Sequence, residues 1–342
     1  MSLLASLRRL AGCALAAATC AIAAQAATAP GPSAADPEGL SRALRAVVGL
    51  QVRAAEGAQS AETLGRQRSG SGVVIGADGL ILTIGYLMLE ADAIQVTTHD
   101  NRVIPATPVA YDIDTGFGLV RALLPLPGVE PVALAEAAGT PVASRVLAAT
   151  GGADGGIGVT QLVSARPFSG YWEYHIENAL FTSPPLPNHS GAAIFNRSGE
   201  LLGIGSLFVH DALQDGSGMQ GNMFVPVDLL KPVLDEMQRT GSTRASHRPW
   251  LGLSSAVDEG RVRIVRVNRG SPAQEAGLAP GDIVLAIDGQ PVATLEAFYK
   301  KLWSRQPAAG DVQLTILKGK ATREVIVRPV DRMQTLRKPA GI

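Results

Sequence analysis

The chain has only two cysteines in 342 residues, Cys13 and Cys20, and both fall in the first twenty positions. Past that segment there is no thiol, which excludes disulfides, thiol catalysis and thiolate metal sites from the rest of the molecule. Aromatic residues are also scarce, at 4%, so any local cluster of them is informative. Charge of either sign does not dominate: 30 Lys and Arg stand against 30 Asp and Glu. The basic residues are scattered rather than arranged in a stripe, which argues against a nucleic-acid partner. The five histidines, His99, His175, His189, His210 and His247, show no paired metal-ligand spacing. Neither a metal nor another cofactor is expected.

Glycine and proline are plentiful, at 38 and 22, and favour short strands joined by turns over long helices. Residues 1–26 have the pattern of an export signal. Arg8 and Arg9 precede an apolar run, Leu10 to Ala24, too short for a confident membrane span, and Ala24-Gln25-Ala26 fits a small-x-small cleavage site. After cleavage no stable membrane span is expected. Residues 27–39 look like a flexible leader. From there Leu40 to Val48 has helical spacing, residues 47–52 are strand-like and residues 54–70 read as a polar loop. Hairpin patterns follow, the clearest being Val73-Val74-Ile75, then Ala77-Asp78-Gly79, then Leu80-Ile81-Leu82. A helix is expected over Asp228–Arg239, stopped by Gly241. A short polar linker, 242–248, leads to a second unit at 249–331, with strands near Val262–Val267, Ile283–Ile287 and Val312–Leu317. A helix over Leu295–Trp303 would be capped by Thr294. The basic tail, 332–342, is expected to be loose.

Several of these landmarks resemble the HtrA (Deg) serine proteases. Gly70-Ser71-Gly72-Val73-Val74-Ile75 with Asp78-Gly79-Leu80-Ile81-Leu82-Thr83 is similar to the opening of their protease domain. Asn188-His189-Ser190-Gly191-Ala192-Ala193 resembles their nucleophile motif, Gly-Asn-Ser-Gly-Gly-Ala, and Phe224-Val225-Pro226 resembles the domain's end. Trp250-Leu251-Gly252-Leu253, Gly270-Ser271-Pro272-Ala273 and the run Ala276 to Val284 resemble a PDZ domain of the same family. The resemblance implies a mainly β fold: a two-barrel, trypsin-like domain over 40–241, followed by an α+β PDZ domain. It also implies an exported, periplasmic location in a bacterial cell envelope.

The catalytic positions depart from the family. Where it carries Thr-Asn-Asn-His, this chain has Thr83-Ile84-Gly85-Tyr86, so Tyr86 stands at the position of the base. Where it carries the orienting Asp, Gly116 follows Thr115. A triad needs a nucleophile, a base within hydrogen-bond reach and a carboxylate behind the base. Only Ser190 remains, and losing the base of such a unit costs about 10⁶-fold in kcat. Asn188 replaces the oxyanion-hole glycine, a position where asparagine tolerates left-handed backbone. His175 and His210 flank the cleft as the remaining alternatives for a base. If only side chains have changed, Tyr86→His with Gly116→Asp would restore a trace of serine reactivity.

By the same resemblance, the amides of Leu251, Gly252 and Leu253 would hold a peptide's C-terminal carboxylate, with Leu251, Leu253, Phe298 and Leu302 lining the terminal side-chain pocket. Unfolded proteins or protein C-termini would be the partners. Phe168, Tyr171, Trp172 and Tyr174 fall within seven residues, as an interface, as a plug in the inactive cleft or as local packing. Residues 27–85 contain no aromatic, which puts family-type trimerisation in doubt. The expected function is an HtrA-like pseudoprotease that binds peptides or partners. The alternative is an active serine endopeptidase, with Ser190 served by a non-standard base.

Overall fold

The computed structural model describes residues 36–305 and 310–337. The expected export signal lies outside the described residues, as do the leader up to residue 35 and the tail beyond residue 337. The last leader residues already belong to a helix, Pro37–Arg45, because Asp36 caps it by accepting the Gly39 N–H at 2.9 Å.

Alternating and fully apolar short runs build two closed six-stranded barrels. The first uses β1 (Val47–Ala54), β2 (Gln67–Val74), β3 (Leu80–Ile84), β4 (Ala91–Thr97), β5 (Val103–Tyr111) and β6 (Phe117–Ala122), in the order β1-β2-β3-β6-β5-β4. Strand β2 begins inside the stretch read as a loop. The second barrel uses β7 (Arg145–Ala149), β8 (Ile157–Gly170), β9 (Tyr174–Ser183), β10 (Ala193–Phe195), β11 (Leu201–Val209) and β12 (Gly221–Pro226), in the order β10-β11-β12-β9-β8-β7. Closure leaves no free sheet edge in either barrel. Asp78-Gly79 makes the expected turn, with Gly79 at φ 77° and Val74 paired with Ile81 across it.

The helix expected over Asp228–Arg239 is split. A 3₁₀ turn, Val227–Leu229, precedes an α-helix at Leu234–Thr240. Pro232 lies between them, and its missing N–H and ring prevent a continuous helical ladder. Gly241, left-handed at φ 79°, ends the helix as expected.

The C-terminal unit has its own apolar core, which includes Leu251, Leu253, Val262, Ile264, Phe298, Tyr299, Leu302 and Ile316. Its sheet runs β14 (Leu253–Asp258), β15 (Arg261–Val267), β16 (Ile283–Ile287), β18 (Val312–Lys318) and β19 (Ala321–Val327), with β17 (Gln290–Pro291) against β16. The helix Leu295–Trp303 is capped by Thr294, whose Oγ1 accepts the Ala297 N–H at 3.1 Å. The tail is not loose where it is described: β20 (Val330–Asp331) pairs with β13 (Pro249–Trp250). Beyond it Arg337 reaches back to the first barrel, donating its backbone N–H to Glu90 and its guanidinium to the Glu56 carbonyl.

Segment 242–248 is fastened rather than slack. The buried Asp112 carboxylate accepts from Thr243 Oγ1 and Ser246 Oγ, each at 2.6 Å, and from Thr115 Oγ1 at 2.6 Å and its N–H at 3.1 Å. Ser246 Oγ in turn accepts the Ile113 N–H at 2.9 Å. Hydrogen bonds to a charged group are worth about 1.5–3 kcal/mol each, and their orphaned donors add a desolvation cost. Asp112→Ala is therefore expected to lower unfolding stability by about 3 kcal/mol or more, read as a shifted urea midpoint. A loss below about 1 kcal/mol would remove Asp112 as the fastening point.

Candidate active site and peptide groove

Ser190 lies on the turn entering β10. Its carbonyl accepts the Ser71 N–H of β2 at 2.9 Å, and Gly191 next to it is left-handed at φ 72°, with its N–H on the Gly205 carbonyl at 2.8 Å. A Cβ at Gly191 would meet the Ser71 carbonyl oxygen at 1.9 Å, so only glycine fits between the barrels there. Asn188 is not among the positive-φ residues, so the left-handed tolerance expected of it is not used. Asn222 holds the approach to this loop, its Oδ1 accepting the Leu186 N–H at 2.6 Å.

Tyr86 follows β3 on a 3₁₀ turn, Gly85–Leu87. Arg68 donates to the Tyr86 carbonyl at 3.0 Å and to the Leu89 carbonyl at 2.8 Å, which fixes the turn. The phenolic oxygen then sits 2.8 Å from Ser190 Oγ and 2.8 Å from the Ser206 carbonyl oxygen. Burial pushes this phenol up to about 12, against a smaller lowering by the Ser190 hydrogen bond. At pH 7 roughly one such phenol in 10⁵ is ionised. The neutral phenol has no basic lone pair able to take the serine proton, so the contact positions Ser190 without activating it.

Among the described residues no histidine is hydrogen-bonded to Ser190. His175 on β9 bonds Ser169 Oγ at 2.8 Å and faces Glu177 at 3.4 Å. His210 packs edge-on against Phe208 beyond β11. Burial lowers the pKa of the His189 ring, and its Nδ1 is buried without a hydrogen-bond partner. Ligand atoms of His175, Glu177 and Glu296 lie within 4.8 Å of one another. Lys300 already supplies a cation there, with Nζ 2.7 Å from both Glu177 and Glu296.

Gly116 joins the same corner, its carbonyl accepting the Gly85 N–H at 2.7 Å. However, it is left-handed at φ 83°, and a Cβ there would meet the Tyr174 hydroxyl at 3.1 Å. Tyr174 is buried, stacks on Trp172 at 5.4 Å and donates to the Thr115 carbonyl at 2.6 Å. A tyrosine from the second barrel thus lies against Gly116, and the backbone disfavours any L side chain at that position. An aspartate at position 116 would therefore have to take a left-handed backbone against Tyr174.

The aromatic cluster is the end of the β8–β9 hairpin. Gly170 pairs with Tyr174, leaving Tyr171, Trp172 and Glu173 as its three-residue tip. This tip lies in the C-terminal unit's groove. The Tyr171 carbonyl accepts the Ser255 N–H of β14 at 2.8 Å, and the Tyr299 hydroxyl donates to the Gly170 carbonyl at 2.8 Å. Glu173 is buried, and its carboxylate accepts the N–H groups of Leu251 at 3.2 Å, Gly252 at 2.8 Å and Leu253 at 2.8 Å. Burial raises its carboxyl pKa, while the three amides and nearby Arg332 pull it down in part. Leu251, Leu253, Phe298 and Leu302 are buried in the unit's core. Glu173 is the candidate site residue that sequence reasoning missed; its one local signal is an acid among four aromatics. Beside the tip lies a cleft of about 460 Å³, lined by Tyr86, Leu207, Tyr171, Trp172 and Leu253 among others.

Comparison with known proteins agrees with this architecture. The trypsin-like peptidase domain family matches residues 70–204 and the PDZ domain family residues 249–328. The chain is 31% identical over 271 residues to the serine protease PepD of Mycobacterium tuberculosis, covering 72% of this chain and 57% of that one. It is 26% identical over 276 residues to a probable periplasmic serine endoprotease, DegP-like, of Halomonas elongata, covering 77% and 56%. The chain therefore spans a little over half the length of these curated relatives. Among solved structures, the HtrA-type protease AlgW with a tripeptide aligns at TM-score 0.51 and 22% identity, over 88% of this chain and 97% of that one. The serine endoprotease from Yersinia pestis aligns at TM-score 0.52 and 21% identity, over 88% and 99%. Two closed barrels with a serine turn between them, joined to a PDZ unit and matched by these relatives, make the chain an HtrA/DegP homologue composed of a trypsin-like peptidase domain followed by a PDZ domain.

Proposed function

We propose that this chain is a non-proteolytic HtrA homologue of the cell envelope, which binds peptides or protein C-termini through its PDZ domain and its degenerate cleft. The observation that carries the reading is the Tyr86 hydroxyl, 2.8 Å from Ser190 Oγ, where a base would have to stand. In this reading Ser190 keeps the nucleophile position, Tyr86 the base position, Gly116 the carboxylate position and Asn188 the oxyanion-hole position. Without a base the serine alcohol cannot lose its proton as it attacks a carbonyl. The barrier then rises by roughly 8 kcal/mol, the equivalent of about 10⁶-fold in rate. The export reading rests on the pattern of residues 1–26 and on relatives named as periplasmic.

The PDZ part rests on the Leu251-Gly252-Leu253 loop, whose three amides converge on one carboxylate. Such a loop suits the free C-terminus of an extended peptide, added as a strand beside β14. The names of the relatives favour a second reading, active proteolysis through Ser190 with an unusual base. Against it stands the raised pKa of Tyr86, which withholds the phenolate that such chemistry would need.

Two tests follow. First, casein cleavage by the purified protein should equal that of a Ser190→Ala control and stay flat from pH 7 to pH 10. The folded-state phenol titrates near 12, so even at pH 10 only about 1% is ionised. Serine-dependent turnover that climbs with pH would instead make Tyr86 a working base. Second, Gly116→Asp should cost about 1–3 kcal/mol of stability because it forces an L residue into a left-handed backbone against Tyr174. Combined with Tyr86→His, it should yield no serine-dependent casein cleavage. A stable, cleaving double variant would show that the two side chains alone silence the site.

A further inference from the structure

The carboxylate loop of the PDZ domain is already filled by the chain itself. Both oxygens of Glu173 are engaged, Oε1 by the Gly252 and Leu253 amides and Oε2 by the Leu251 amide. Beside them the Tyr171 carbonyl accepts the Ser255 N–H of β14, a backbone hydrogen bond of the kind an added strand would make. The tip is caged from the other side. Tyr299 on the Leu295–Trp303 helix accepts the Glu173 N–H at 3.2 Å, and Arg248 donates to the Glu173 carbonyl at 3.3 Å while lying over the Trp303 ring at 3.5 Å.

The backbone gives an independent reason to regard the glutamate as more than a turn residue. Three-residue hairpin tips end on a left-handed residue, where glycine is unstrained. Glu173 occupies that place at φ 57°. The turn alone is therefore better served by glycine, and the glutamate side chain makes no ion pair among the described residues. Its visible role is to present a carboxylate to three amides.

We infer that Glu173 is an internal ligand of the PDZ domain, a side-chain carboxylate standing in for a peptide C-terminus, and that an external C-terminus must displace it to bind. This deepens the peptide-binding reading above and rests on it. A tethered ligand acts at high effective concentration. While the tip is docked only a small fraction of the molecules can take a peptide, and apparent affinity falls by that fraction. Displacement would also free the β8–β9 hairpin, whose next residue, Tyr174, packs against Gly116.

The test uses the full chain and Glu173→Gly, which removes the carboxylate while giving the backbone its preferred residue, with Glu173→Gln as the conservative companion. The probe is a fluorescein-labelled decapeptide pool, randomised among Ala, Val, Leu, Ile and Phe at its last three positions, with either a free or an amidated C-terminus. The free-acid pool should bind Glu173→Gly at least about tenfold more tightly than the native chain, Glu173→Gln should fall between, and the amidated pool should not gain. Amide exchange at Gly252 and Leu253 should accelerate at least about tenfold in Glu173→Gly, with core amides unchanged. Equal free-acid affinity for the native chain and Glu173→Gly, or unchanged exchange at Gly252 and Leu253, would overturn the internal ligand. Faster exchange with no peptide bound by either protein would support the docked carboxylate and overturn the peptide-binding reading instead.

Discussion

A buried carboxylate facing three backbone N–H groups constrains everything around it. Unpaired, the charge would be costly to bury, and the amides of Leu251, Gly252 and Leu253 would be orphaned beneath the tip. Together they satisfy one another and seat the β8–β9 hairpin in the PDZ groove. The placement of that hairpin sets the next layer of structure. Tyr174 is carried against Gly116, Trp172 stacks on Tyr174, and the Tyr171–Trp172 pair forms one wall of the cleft that leads to Tyr86. Asp112 and Arg248 bind the connecting segment to the first barrel from the other side.

The β8–β9 tip lines the cleft beside Tyr86 at one end and is seated on the PDZ loop at the other. At one end Tyr86 meets Ser190 with a neutral hydroxyl, and at the other Glu173 meets the PDZ loop with an acid. At the first end Ser190 meets a phenol, and the turn that presents the serine is held by Ser71 and Gly205. Under the non-proteolytic function proposed above, such a scaffold would hold chains rather than cut them.

Much of this was legible in the sequence, and the remainder was hidden for identifiable reasons. The hairpin at Asp78-Gly79, the helix opened by Thr294 and the stop at Gly241 are local, because turn and cap chemistry act over a few residues. Tyr86 and Gly116 could be assigned because their neighbours, Thr83 and Thr115, keep the frame of the resemblance. The split at Pro232 was also written locally and was passed over in favour of the apolar spacing around it. Docking of Arg337 and capping of the PDZ loop by Glu173 are different in kind. Each joins a side chain to backbone groups of a distant segment, 247 residues apart for Glu90 and Arg337 and 78 for Glu173 and Leu251. Such contacts leave no periodicity. The left-handed backbone of Gly116 was equally invisible, since a glycine in a sequence does not say whether its freedom is used.

Central to the proposed function is a Ser190 that is correctly held but not nucleophilic. Intact-mass measurement after prolonged incubation with a fluorophosphonate at pH 8 addresses it directly, because the reagent needs only an activated serine and no substrate recognition. The unchanged mass of the native chain, identical to that of Ser190→Ala, is the result predicted. A stoichiometric adduct that maps to Ser190 and disappears in Ser190→Ala would contradict it.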